Sequence, residues 1–461
     1  MIRMDKQLPF KKNLPLNRAI RTWQQSDPWR FMMPGHKGCG PLGDTLDVAG
    51  DLTEIPVLDD LHHPAGVLLE TEAFLREVFG SGATIPLVNG AGAGIRAALL
   101  AAGGGPVVVP RNAHRAVLEG LILSGGDPYY VQPEVRGSFL TPASPSRYEA
   151  YPGSWMRVVL TESYEGFIRD YRGISGEGFL LADEAHGSHL GFLGLPSAQS
   201  YADATVHGAH KTLGSLTQSA LLHLKDPDWV PSLRRALALV ESTSPSWLLL
   251  ASLEKAAAWW GEFRDPGELL ERVEIMRRRL ERIPGFRQAT AEPEEDLYMD
   301  PLRVTLEVDS RRDGRQLMLE MSRDCGLELE LGAPGYITGI LSPFDSGSAW
   351  DQLVKVLENL SIKHNMKDHF RESQDIVFGL PEKLLTPREA WFGEKIRMRL
   401  DSSGGRIAAD IVAAYPPGIP LICPGEIIPM DLPERIRSLQ AGGVHIQGLG
   451  PDDTILIMRD S

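Results

Sequence analysis

Cysteine is scarce in this chain. Cys39, Cys325 and Cys423 are the only three among 461 residues, and no two form a CxxC pair. That excludes a disulfide framework and a cysteine-built zinc site, and it points to a reducing compartment. Long apolar runs are missing too: no stretch approaches the ~20 residues that a membrane-spanning helix needs. The N-terminal "MIRMDKQLPFKKNLPLNRAI" holds no apolar segment of signal-peptide length. Basic residues are outnumbered, 47 Lys and Arg against 61 Asp and Glu, for a formal charge of −14. That balance argues against nucleic acid or an anionic membrane surface as the partner, but leaves room for a small anion held locally. By elimination the chain is expected to be a cytoplasmic soluble protein.

What is present is organised as several domains, the natural reading of this length. Residues 1–30 read as a basic helical arm. Residues 31–254 read as a large α/β domain: "TEAFLREVFG" is a helix closed by Gly80, "IRAALLAAGG" and "AVLEGLILSGG" are helices, and "GPVVVPRN", "PYYVQ", "MRVVLT", "GFLLADEAHG" and "ATVHGAHK" are strands. Short apolar runs that end in polar residues and alternate with helices imply a mostly parallel open sheet. Residues 255–365 read as a smaller α+β domain, with the helix "ELLERVEIMRRRLERI" and the strands "LRVTLEV", "LELEL" and "YITGILSP". "KHNMKDHFRESQD" reads as a linker or exposed helix, and residues 375–461 as a C-terminal domain containing the turn-rich "YPPGIPLICPGE".

In open α/β sheets, ligands collect beyond the carboxyl ends of the strands. Four polar clusters fall there. "LVNGAGAGIRAALL" sets Asn89, Gly90, Ala91 and Gly92 before a helix, where bare backbone N–H groups can bind a phosphate; a tight turn alone is the competing reading. "PRNAHRAV" places His114 after a strand, where a lone histidine is more often structural. "LLADEAHGSHLGF" brings Asp183, His186 and His189 together, but their spacing fits no zinc pattern and no fourth ligand is evident, so no metal is expected. The fourth cluster is "HGAHKTL". Its Lys211 comes 28 residues after Asp183, one helix-plus-strand unit later, so the two should sit at neighbouring strand ends. A buried ammonium must be paired, neutralised or covalently bound. A lysine in a dry site can form a Schiff base with an aldehyde. Pyridoxal 5'-phosphate needs such a lysine, a carboxylate for its pyridine nitrogen and a phosphate cradle, and the chain offers all three.

The ordered blocks "MPGHKG", "LDDLHHP", "LVNG", "PRNAH", "DEAHGSHLGF", "AHKTL", "TSPSWLLLASLE", "TPREAWF" and "YPPGIPLICPGE" resemble those of the Orn/Lys/Arg decarboxylase family. The resemblance spans nearly the whole chain and is closest to the short form of Gram-positive bacteria. It implies the aspartate-aminotransferase-like fold, fold type I of the pyridoxal phosphate enzymes, and a homodimer or higher homo-oligomer. It implies roles as well. Lys211 matches the Schiff-base lysine, Asp183 the partner of the pyridine nitrogen, and His114 the histidine stacked on the ring. His210 falls near the phosphate and the reacting carbon, and His186 near the cofactor. Glu330, in "GLELELGAP", matches the acid that reads the substrate's distal cation.

The chain departs from the family pattern at the cradle. Ala91 and Gly92 follow Asn-Gly where hydroxyl residues are usual, and Gly208 and Ala209 replace Ser-Thr before His-Lys. Arg115 and Ala116 replace Lys-Ser after the histidine, and "TESYEG" lacks a proline. The resemblance thus implies decarboxylation of a basic amino acid, arginine first and then lysine or ornithine, giving agmatine or a diamine for polyamine metabolism. It also implies a phosphate site short of hydroxyl donors, with backbone N–H groups and Arg115 as substitutes. Two other readings stay open. One is a diverged member with weak or no decarboxylase activity, serving in binding or regulation. The other is an aminotransferase or lyase, for which the sequence offers no evident small-domain arginine to hold a substrate carboxylate.

Overall fold

The structure, a computed structural model, describes residues 14–39, 48–151, 153–174, 178–263, 265–291, 296–370, 379–415 and 418–459. Most of the first half of the N-terminal arm, the end of the linker and Pro416–Pro417 lie outside the described residues.

The centre is a seven-stranded sheet built from β1 (Ala83–Leu87), β2 (Gly105–Pro110), β3 (Gly126–Val131), β4 (Met156–Leu160), β5 (Leu180–Asp183), β6 (Ala204–His207) and β7 (Ala220–Leu224). Their order across the sheet is β1-β7-β6-β5-β4-β2-β3. The run from β3 to β6 is parallel, and β7 is antiparallel to both of its neighbours. The apolar runs read from the sequence are these strands, buried on both faces as a parallel sheet requires. Helices Gly90–Ala102 and Arg115–Ser124 cover one face. The first of them lies close to the sheet because Gly94 has no side chain: a Cβ there would meet Leu87 at 2.8 Å and Val206 at 3.2 Å. Gly80, in the left-handed conformation at φ 65°, closes the helix Val67–Phe79.

The register pairs Leu160 with Asp183 and Asp183 with Val206, so the carboxyl ends of three adjacent strands finish at one edge. The link from β5 to β6 differs from the expected helix. Two short 3₁₀ turns, Leu190–Leu193 and Ala198–Ser200, make the connection. Gly187, Gly191, Gly194 and Pro196 break up that segment, and glycine and proline are the poorest helix formers.

Beyond the large sheet lies a four-stranded antiparallel sheet of Phe286–Gln288, Arg303–Val308, Tyr336–Ile340 and Leu331–Ala333. Helices Pro266–Leu280, Gly314–Cys325 and Ala349–Lys363 pack with it. "LELEL" is not a strand over its whole length; pairing begins only at Leu331. The preceding helix ends on Gly326 at φ 60°, and the Leu327 amide still donates to the Met321 carbonyl at 3.1 Å, so the chain is turning where it would have to pair. The C-terminal region forms two further antiparallel sheets, Lys395–Arg399 with Thr454–Met458, and Ile419–Ile422 with Val412–Tyr415 and His445–Gln447. Among the described residues no helix is long and apolar enough to cross a membrane.

Candidate active site

At the carboxyl edge of the sheet lies a cavity of about 250 Å³. Asp183, His186, Lys211, His114, Ala91 and Gly92 all line it, together with Glu162, Tyr164, Glu165 and Tyr415. Each expected residue arrives on a different element. Asp183 ends β5, and its Oδ1 accepts from the Ala185 amide at 3.2 Å. Lys211 lies in the one-turn helix Ala209–Thr212 directly after β6. His114 is the N-cap of helix Arg115–Ser124, its Nδ1 accepting from the Ala116 amide at 3.1 Å. Ala91 and Gly92 stand in the first turn of helix Gly90–Ala102, with Gly90 left-handed at φ 75°.

Lys211 is half-buried and, among the described residues, is salt-bridged to none. Its Nζ lies 2.8 Å from His186 Nε2. Burial pushes the lysine below its usual range; Asp183 opposes that push and Arg303 reinforces it. Burial likewise pushes His186 well down, with Lys211 and Arg303 adding to the effect. His114 is lowered mainly by burial.

Other expected residues face elsewhere. His210 turns its Nδ1 to the Ser219 carbonyl at 3.0 Å. The Asn89 side chain accepts from the Ser242 amide at 3.0 Å, and its own amide donates to Glu241 at 3.3 Å. Gly208 is at φ −86°, open to any residue, yet a Cβ would sit 2.6 Å from the Ala185 carbonyl oxygen. Arg115 pairs with Glu119 at 3.1 Å. Arg96 shares that carboxylate at 2.8 Å and lies so near Gly92 that a Cβ there would come within 3.2 Å of it. Residues 92 and 96 share a helix face, and side chains lean toward the helix N-terminus, so the arginine reaches back over the turn that a hydroxyl residue would fill. Glu330 is exposed and accepts from the Tyr164 hydroxyl, which places it beside the cavity wall. His189 is taken by Asp300 at 3.1 Å, and among the described residues no group of three His, Cys, Asp or Glu is placed to hold a metal.

The sequence reading missed Arg303, Glu162, Tyr164 and Tyr415. Arg303 is fully buried at the start of the strand Arg303–Val308. Its Nη2 lies 2.9 Å from His186 Nδ1, and its guanidinium lies 3.6 Å from both Glu162 and Asp300. The signal was a lone arginine opening the apolar run "LRVTLEV", since a buried guanidinium must be paired. Burial raises the Glu162 carboxyl well above its usual range, against the pull of Arg303.

A cofactor with an aldehyde, a ring nitrogen and a phosphate suits this donor set: a buried amine, a carboxylate at a strand end, a histidine on a third side and a helix N-terminus with bare backbone. The family model for the Orn/Lys/Arg decarboxylase major domain matches residues 14–315, and that for the Orn/Lys/Arg decarboxylase C-terminal domain matches residues 366–448. The chain therefore belongs to the Orn/Lys/Arg decarboxylase family, pyridoxal phosphate-dependent carboxy-lyases of the α/β fold expected from the sequence. It is 30% identical to an arginine decarboxylase of Bacillus subtilis, over 96% of each chain. It is 23% identical to the constitutive lysine decarboxylase of Escherichia coli, over 95% of this chain and 79% of that one. The solved structure of that E. coli enzyme superposes with a TM-score of 0.79 at 20% identity, over 97% of this chain and 82% of that one.

Proposed function

We propose that this family member decarboxylates a basic amino acid, with arginine preferred over lysine and ornithine and agmatine as the product. The observation that carries the proposal is the pairing of Glu330 with Tyr164. It puts an exposed carboxylate against a residue that lines the same cavity as Lys211 and Asp183, where a substrate's distal cation would meet it. The similarity to the Bacillus arginine decarboxylase supports arginine.

The chain's residues take distinct parts. Lys211 would hold the cofactor through its amine, and Asp183 would keep its ring nitrogen protonated. His114 would cover the ring, and the first turn of helix Gly90–Ala102, with Arg96 nearby, would receive the phosphate. Bound there, pyridoxal phosphate supplies a sink for the electron pair left behind as carbon dioxide departs. Ile95, Leu140 and Leu160 give the cavity apolar walls, which would limit water within it. Arg303 is occupied by His186, Glu162 and Asp300, which argues against its holding a substrate carboxylate in the manner of an aminotransferase.

We infer that the protein acts as a homodimer or higher homo-oligomer. Trp29, Phe31 and Met33 are 91%, 94% and 69% exposed around the "MPGHKG" block, and a monomer rarely leaves such apolar side chains grouped in water.

The test is carbon dioxide release from arginine, lysine and ornithine by the purified protein with pyridoxal phosphate, with amine products separated by chromatography and mass read by light scattering. Agmatine formed fastest, with KM raised in Glu330→Gln, is expected. No release from any of the three would favour the diverged, non-catalytic reading.

A further inference from the structure

We propose that Arg303 is a positioning residue that fixes the proton of His186 on Nε2 and thereby holds Lys211 as a free amine. The idea rests on the assignment of Lys211 as the reactive lysine.

A guanidinium can only donate hydrogen bonds. His186 Nδ1, 2.9 Å from Arg303 Nη2, must therefore accept, and it carries no proton. A neutral imidazole has one N–H, so that proton sits on Nε2. At 2.8 Å from Lys211 Nζ, the Nε2–H donates. Nζ must then accept with a lone pair, which only the neutral amine possesses. The alternatives fail by donor counting. An imidazolium would point Nδ1–H at a guanidinium N–H. An ammonium donating to Nε2 would leave the imidazole proton on Nδ1, against the same guanidinium.

Arg303 cannot readily swing away. Glu162 and Asp300 flank it at 3.6 Å, and Asp300 is itself held by His189 at 3.1 Å and the Leu302 amide at 2.8 Å. The charged and titratable groups around Lys211 and His186 are Asp183, Glu162 and Glu330, which favour an ammonium, and Arg303, His114 and His210, which oppose extra positive charge. Tyr164 stands edge-on to the His186 ring at 5.1 Å. Arg303 is the group among these that reaches Lys211 through a directional hydrogen bond as well as through its field. A free amine is the form that attacks a carbonyl carbon, so the pair keeps the lysine ready to take its cofactor.

The test is competitive acetylation of the cofactor-free, full-length protein by acetic anhydride across a pH series, read by the mass of the Lys211 peptide. Nζ forms the amide bond, acetate leaves and the proton goes to solvent, so labelling reports the free-amine fraction and does not involve decarboxylation. Failure here is thus separable from failure of the functional reading. Arg303→Lys keeps a donor-only cation and should keep the wild-type pH profile. Arg303→Met with Glu162→Gln frees His186 to accept from an ammonium. It should move half-labelling up by about one pH unit, about tenfold less label at neutral pH. In a His186→Phe background the same exchange should add nothing. An unchanged profile in Arg303→Met/Glu162→Gln, or an equal shift in Arg303→Lys, overturns the proposal. Should the double variant not fold, long-range proton–nitrogen correlation in the histidine-labelled wild-type protein decides: protonated Nε2 on His186 supports the proposal and protonated Nδ1 overturns it.

Discussion

Glu241 follows helix Val230–Val240, and its Oε1 accepts from the Val88 and Asn89 amides at 3.0 and 3.3 Å, just ahead of the helix whose first turn faces the cavity. Burial raises its carboxyl to about 7, against the pull of those two N–H groups and of Arg96. The ordinary value for this group is 4.5. Because the folded value is the higher one, stability is greatest below the unfolded pKa and falls as pH rises through the folded one. Each pH unit between the two values is worth ~1.4 kcal/mol, so the raised value lowers folding stability by about 3 kcal/mol at ~pH 8 and by about 1 kcal/mol at ~pH 5, where the group ionises mainly in the unfolded chain. Glu241→Gln keeps an oxygen for both amides and never ionises. It should therefore be more stable than wild type by about 3 kcal/mol at ~pH 8, with the gain shrinking to about 1 kcal/mol at ~pH 5. Urea unfolding of both proteins at the two pH values reads this directly. A gain equal at both pH values, or a less stable variant at the higher one, would refute the reasoning.

Three further outcomes follow from the site. Asp183→Asn should retain bound cofactor yet lose most turnover, because a neutral amide cannot hold the ring nitrogen protonated; near-wild-type rates would rule that role out. Gly208→Ser, which restores a hydroxyl at a position where the family usually has one, should cost about 1–3 kcal/mol from overpacking. Its Cβ meets the Ala185 carbonyl oxygen at 2.6 Å and Lys211 Cδ at 3.2 Å. Ala91→Ser, at a position that already carries a Cβ, should tighten cofactor binding in a direct titration; an unchanged dissociation constant would mean that backbone amides suffice.

Much of the site was readable because its parts are local. An apolar run ending in Asp183, and another ending just before Lys211, announce two buried strands whose carboxyl ends must lie together, and the sheet register pairs those strands directly. The cradle at Ala91 and Gly92 and the cap at His114 likewise need only a strand followed by a helix. What escaped depends on distance. Arg303 lies 117 residues from His186 and Glu330 lies 166 from Tyr164, and no period or spacing links such pairs. Side-chain aim was also invisible: His210 and Asn89 stand in the expected segments yet spend their hydrogen bonds on Ser219 and Ser242. "LELEL" alternates like a strand, but the helix cap at Gly326 sets where pairing can begin.

The central claim is that Lys211 carries pyridoxal phosphate. The most direct measurement is the visible absorbance of the purified protein with added cofactor, before and after borohydride reduction, followed by peptide mass analysis. A yellow protein that bleaches, with the reduced cofactor's mass on Lys211 and none in Lys211→Ala, is the predicted result. A protein that stays colourless with excess pyridoxal phosphate, or one that carries the added mass on another lysine, would contradict it.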